Sequence, residues 1–164
     1  MTATVPFDVI NALRLAMFAD ATVKAAAEVS VTGNAIFGHE YPAKTAQQTI
    51  DYAAQLTARS RRLIVLQPAG RRRLQDQGNA PIGAPRVDVW NYGRTKSDAM
   101  ALHWVTHAFL RDLADALVTM SAGSAVIRSV TVEAGPFAFT DQDTNTPVVV
   151  GTYAALAAET YRAA

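Results

Sequence analysis

Apolar positions recur along the chain at two periods, one near 3.6 and one near 2, and these divide it into prospective helices and strands. Between Asp8 and Asp20, the residues Val9, Ile10, Leu13, Met17 and Phe18 follow helical spacing, and Asp8 is placed to cap the segment. A shorter helical piece is expected over 22–28, before Gly33-Asn34 breaks the pattern. Ala35-Ile36-Phe37 then reads as a short strand stopped by Gly38 and Pro42. The stretch 45–60 lacks Gly and Pro and is only loosely amphipathic, so it reads as a helical excursion spanning about 44–62.

Leu63-Ile64-Val65-Leu66 is a compact apolar run between arginines and Pro68, the profile of a buried strand. Three prolines and three glycines between 68 and 85 predict a long loop. Arg86 to Tyr92 is rich in β-formers, with Val87 and Val89 on one face and Trp90 and Tyr92 on the other. A helix capped by Thr95 or Ser97 is expected to run to about Leu117, with Leu102, Val105, Phe109 and Leu113 as its apolar stripe. After a turn at 121–124, Val130, Val132 and Ala134 predict a strand that Gly135-Pro136 interrupts before Phe137 and Phe139. A polar loop over 141–147 leads to a last strand, 148–161, that is apolar on both faces and forms a hairpin with its predecessor. This order predicts an α+β fold, a largely antiparallel sheet with two or three helices packed on it. Strands apolar on both faces need two covers, and the second cover is available from a neighbouring subunit.

Composition sharpens this picture. The chain has 164 residues, half of them hydrophobic and 18% charged, enough for one domain, 1–164, with a core. There is no cysteine, which excludes disulfides, thiolate ligands and cysteine nucleophiles. The opening MTATVPFDVINALRL lacks a charged region ahead of an apolar one, so it does not read as a secretion signal and the chain is expected in a cytoplasm. The longest uncharged run, 144–158, is 15 residues and contains Pro147 and Gly151, shorter than the ~20 a membrane-spanning helix requires, so no membrane span is expected. Net charge is +1, yet residues 59–73 carry six basic side chains and no acidic one. That cluster suits contact with a polyanion or acidic partner, and equally suits gatekeeping charge around an aggregation-prone strand. No aromatic residue interleaves its arginines, which argues against stacking on single-stranded bases.

Candidate chemistry is sparse. His103-Trp104-Val105-Thr106-His107 sets two histidines one helical turn apart, a spacing that can hold a metal. The same stripe continues through Ala99 and Arg111 without a carboxylate, and Trp104 stands where a metalloprotease pattern requires Glu, so an ordinary helix flank, partly packed and partly solvated, is the expected role. His39 beside Glu40 reads as a solvated turn histidine. The interval from Gly78 to Gly83 matches a P-loop but Ala84-Pro85 replaces Lys-Ser/Thr, and neither G-x-S-x-G nor G-x-G-x-x-G occurs. No catalytic, cofactor or metal residue is assigned, and no enzyme is expected.

Several stretches in order, DVINALRLAMFAD, AIFGHEYP, RRLIVLQPAG, RVDVWNYGRTKSDAMALHWVTHAFLRDL, IRSVTVEAGPFAF and VVVGTYAALAAE, together resemble the tail-terminator, or tail-completion, proteins of long-tailed bacteriophages. The resemblance implies a structural virion protein without cofactor or active site. Its subunit would close into a ring, typically a hexamer, on the tail tube at the junction of tail and neck, halting polymerisation and offering a head-joining interface. The implied partners are further copies of the chain, the tail tube protein and a head-completion protein, with genome DNA passing through the lumen without specific binding. The segment 44–62 is longer and more helical than this family leads one to expect. The loops at 68–85 and 141–147 are the expected recognition faces, which puts Arg71, Arg72, Arg73, Asp141, Asp143 and Asn145 forward as partner contacts. A head-completion or connector protein of the same virion is the main alternative, and a small nucleic-acid-binding module the next.

Overall fold

The computed structural model describes residues 9–27, 35–38, 62–69, 85–120, 123–142 and 145–160. Two helices come first, α1 (Val9–Ala19) and α2 (Ala21–Ala26), followed by strands β1 (Ile36–Gly38), β2 (Leu63–Pro68) and β3 (Arg86–Tyr92). Helix α3 (Lys96–Asp112) leads to β4 (Ala116–Met120), β5 (Gly123–Asp141) and β6 (Thr146–Thr160). The strands form one sheet in the order β1-β2-β3-β6-β5-β4, antiparallel except for the parallel β1–β2 pair. The fold is α+β, as the order of apolar periods predicts. The expected cap Asp8, residues 44–61 of the expected excursion and residues 70–84 of the long loop lie outside the described residues.

Local signals place each helix. Asp20 ends α1 and its carboxylate accepts the Val23 N–H at 2.9 Å, so one side chain separates α1 from α2. Thr95 has extended backbone and its hydroxyl accepts the Asp98 N–H at 3.1 Å, which makes Thr95 the cap of α3. Thr95→Ala is expected to cost about 1 kcal/mol, read as a lower urea midpoint at unchanged slope. Arg62 at the start of β2 bonds the Asp98 carboxylate, which also accepts the Arg94 N–H at 3.1 Å. Hydrogen bonding from Arg62 is the largest influence on Asp98 and holds its carboxyl below the ordinary aspartate range.

The sheet curls, because α1 touches both β1 and β4, the strands at its two ends. Inside the curl, Leu13 and Met17 of α1 and Leu110 of α3 are fully buried with Ile36, Ile64 and Leu66. Each such side chain contributes about 2 kcal/mol by leaving water. On the other face Leu63, Val65, Tyr92, Val148 and Val150 are buried as well, as the two-faced apolar pattern of β2 and β6 requires.

Three local expectations are corrected. The helix expected to reach Leu117 stops at Asp112. Asp115 takes a left-handed φ of 48°, and 116–120 pair with 123–127 as a strand the periodicity did not separate from the helix. The buried face of α3 is Ala99, Leu102, His103, Thr106 and Leu110; of the expected stripe Leu102 is buried, while Val105, Phe109 and Leu113 are only partly so, and the face is rotated towards His103 and Thr106. Gly135-Pro136 does not interrupt its strand. β5 continues to Asp141 and takes up the irregularity as register shifts around 132–137, with Gly135 at φ +98°, a region that favours a residue without a β-carbon.

Candidate assembly surface

β5 is 19 residues long, but β4 covers only its first five. Beyond Ile127, no strand among the described residues pairs with the outer edge of β5, while its inner edge stays on β6 down to Asp141↔Thr146. The far half of β5 is therefore an arm held from one side, and residues 131–140 are exposed except for the half-buried Ala134. An open strand edge presents unpaired N–H and C=O groups to any incoming strand.

This arm is apolar as well as open. Phe137 is 57% exposed, Val132 42% and Phe139 39%, with Leu156 of β6 at 39%. The register puts Phe137 and Phe139 opposite Val150 and Val148, so both rings and Leu156 share the face that carries Trp90 and Tyr92. Phe139 meets the Trp90 ring edge-on at 5.6 Å, which roots it in the core, and Phe137 extends past it. Charges that could blunt the edge are engaged within the chain: Arg128 with Asp115, Glu133 with Arg86, and Asp141 with the Tyr92 hydroxyl at 3.1 Å. Pro136 lacks an N–H and is the remaining edge-blunting device on the arm. A soluble monomer seldom leaves several large apolar side chains together on an open edge without a use for them.

A second apolar surface lies between α1, the end of α3 and β4. It is a groove of about 460 Å³ lined by Leu15, Ala16, Phe109, Leu113, Leu117 and Val118. Among its described lining residues the one ionisable group is Asp20, which is committed to capping α2.

The residues put forward from sequence are scattered relative to this arm. Arg71, Arg72, Arg73 and Asp143 lie outside the described residues. Asp141 is 5% exposed and bound to Tyr92, so it belongs to the core and not to the loop surface. Asn145 is exposed, at a left-handed φ of 50°, where the chain turns into β6. The expected flank role of the two histidines fits His107, which is half-buried with Nδ1 3.3 Å from the Tyr153 hydroxyl, but not His103, which is 1% exposed. Burial and, secondarily, the neighbouring His107 depress the His103 pKa to about 4. Burial also raises the Tyr153 hydroxyl to about 12. Among the described residues no group of three or more His, Asp or Glu side chains gathers as metal ligands, and no helix is long and apolar enough to cross a membrane.

The sequence pattern missed the arm as a site because Phe137-x-Phe139 is also what a buried strand looks like. The one available signal was the two-faced apolar pattern of β2 and β6, which calls for a second cover beyond the chain's own helices. No family model, curated protein or solved structure matches the chain.

Proposed function

We propose that this chain is a ring-forming structural subunit, the tail terminator of a long-tailed phage, which caps the tail tube and provides the head-joining interface. The observation that carries the reading is the β5 arm, an open edge with Val132, Phe137 and Phe139 exposed. A ring needs a heterologous contact, in which one surface of a subunit meets a different surface of the next. Arm against arm would close at two copies, so in a ring the arm packs on another part of its neighbour.

Tail length tests the assignment. Tube protein polymerised with this chain is expected to stop at a defined length and accept heads, and omission of the chain to give overlong tubes without heads. Tails of normal length that fail to join heads on omission would instead identify a head-completion protein and overturn the terminator reading. Phe137→Asp tests the surface: because Phe137 is more than half exposed, the monomer should keep its stability while self-association weakens 30-fold or more, about 2 kcal/mol, as read by light scattering.

A further inference from the structure

Helix α3 rests on the sheet at its middle through a polar contact. His103 is 1% exposed and sits over Gly151 of β6, where an added β-carbon would lie 2.9 Å from its Cε1. Its Nδ1 is 3.5 Å from the Asn91 side-chain nitrogen of β3. The Asn91 amide is fixed in orientation: its nitrogen donates to the carbonyl oxygens of Val89 and Val149, both at 3.2 Å. Its oxygen lies 2.9 Å from the Thr106 hydroxyl, whose proton is shared with the His103 carbonyl oxygen, also at 2.9 Å. The Asn91 NH2 group, whose two protons go to those carbonyl oxygens, thus faces Nδ1 and offers it no acceptor, which favours the neutral ring with its proton on Nε2.

We propose that His103 is an acid-operated latch: neutral, it seats the middle of α3 on β3 and β6, and when Nδ1 takes a proton α3 lifts while the sheet stays paired. A protonated Nδ1 would point an N–H at the Asn91 NH2 group. The amide cannot turn over to receive it without giving up its bonds to Val89, Val149 and Thr106.

Among the described residues no negative charge is placed to receive the new positive one. On α3 itself the rings beside His103 are those of Trp104 and His107, centroids 5.3 and 5.7 Å away and neither of them negative, while Asp98 is bound to Arg62 and Arg111 to Asp112. From β6 the facing ionisable group is Tyr153, which stays a neutral phenol in acid. On β3, Arg86 and Asp88 occupy the opposite face of the sheet from Asn91. On β5, Arg128, Glu133 and Asp141 are engaged with Asp115, Arg86 and Tyr92. On α2, Lys24 lies over the Phe18 ring. The depressed His103 pKa is what this enclosure produces.

The lifting is local for two reasons. The β3–β6 ladder makes no use of His103, so its hydrogen bonds survive. The N-terminal end of α3 is tethered by the Thr95 cap and the Arg62–Asp98 pair, and Asp98, acidified by Arg62, keeps its charge as His103 titrates. Helix α3 therefore swings from its first turn. This inference stands independently of the terminator reading.

Amide exchange followed by mass spectrometry at pH 7 and pH 4.5, corrected for intrinsic rates, tests it. Opening of α3 should rise about 50-fold between the two, the ratio set by a histidine that titrates near 6.5 when released and near 4 when seated. Amides of β3 and β6, which exchange only through the rarer unfolding of the whole chain, should stay better protected than those of α3 at both pH values. His103→Gln, neutral at both values, should lose the acid response and His107→Gln should keep it. Exchange of α3 at the same rate as the sheet at pH 4.5, as in a single opening of the whole fold, or an undiminished response in His103→Gln, would overturn the latch. Should His103→Gln fail to fold, nitrogen NMR of the wild-type imidazole decides: a neutral Nε2–H ring at pH 5.5 that gains its proton as α3 opens supports it, and an imidazolium inside a protected α3 refutes it.

Discussion

Gly93→Ala is expected to lower stability by about 3 kcal/mol, among the largest effects of any single methyl added to this protein. The new β-carbon would fall 2.3 Å from the Ala99 nitrogen and 2.8 Å from Ala99 Cα and the Asp98 carbonyl carbon. All three are backbone atoms in the first turn of α3, so no rotamer change relieves the overlap. The helix start would have to move off β3, yet Gly93 is itself pinned by its N–H to the Pro147 oxygen at 3.1 Å. Thermal denaturation should show the midpoint fall by about 10 °C. Gly38→Ala is the matched control. Its β-carbon would meet only Ile10 Cγ2 at 3.2 Å and Arg14 Cδ at 3.3 Å, side-chain atoms that can give way, and the loss should stay below about 1 kcal/mol. Equal losses at the two positions would show that α3 is not packed so closely against the strand end.

The second large effect is acid sensitivity of the whole fold. The folded-state pKa of His103, about 4, lies below its ordinary value of 6.5, so between these values the unfolded chain binds more protons than the folded one. Stability from this group is then intact above about pH 6.5, declines as pH falls towards 4, and levels off below that. The full loss is about 3 kcal/mol, from a shift of about 2.5 units at 1.36 kcal/mol each. Urea unfolding at pH 7 and pH 4.5, compared in wild type and His103→Gln, isolates it, because the other titrating groups are common to both. If the two proteins lost stability in parallel, His103 would not be the group responsible.

Much of the architecture was legible in the chain. Val87 and Val89 against Trp90 and Tyr92 marked β3 to the residue, and the apolar run after Arg62 marked β2. Thr95 was readable as a cap because its hydroxyl satisfies an amide one turn away, a bond that needs no distant partner. Harder to read was 113–120. Leu113, Ala116 and Leu117 continue a helical period, and the choice of strand rests on backbone pairing with 123–127, a partner that side-chain spacing does not encode. Asp141 was similarly misplaced: an acid in a polar run looks solvated until Tyr92, 49 residues earlier, delivers a hydroxyl to it.

Sequence alone determined the fold class, most element positions and the two-faced apolar pattern of β2 and β6, because these follow from periodicity and from bonds between near neighbours. Tertiary structure decided where apolar strand surface is left uncovered, at Phe137 and Phe139 on a strand that outruns its partner. It also decided that one histidine of the pair is sealed over Gly151 while the other keeps contact with water. Both outcomes depend on which distant segments meet and how far each strand extends past the next, and neither quantity is written in the local order of residues.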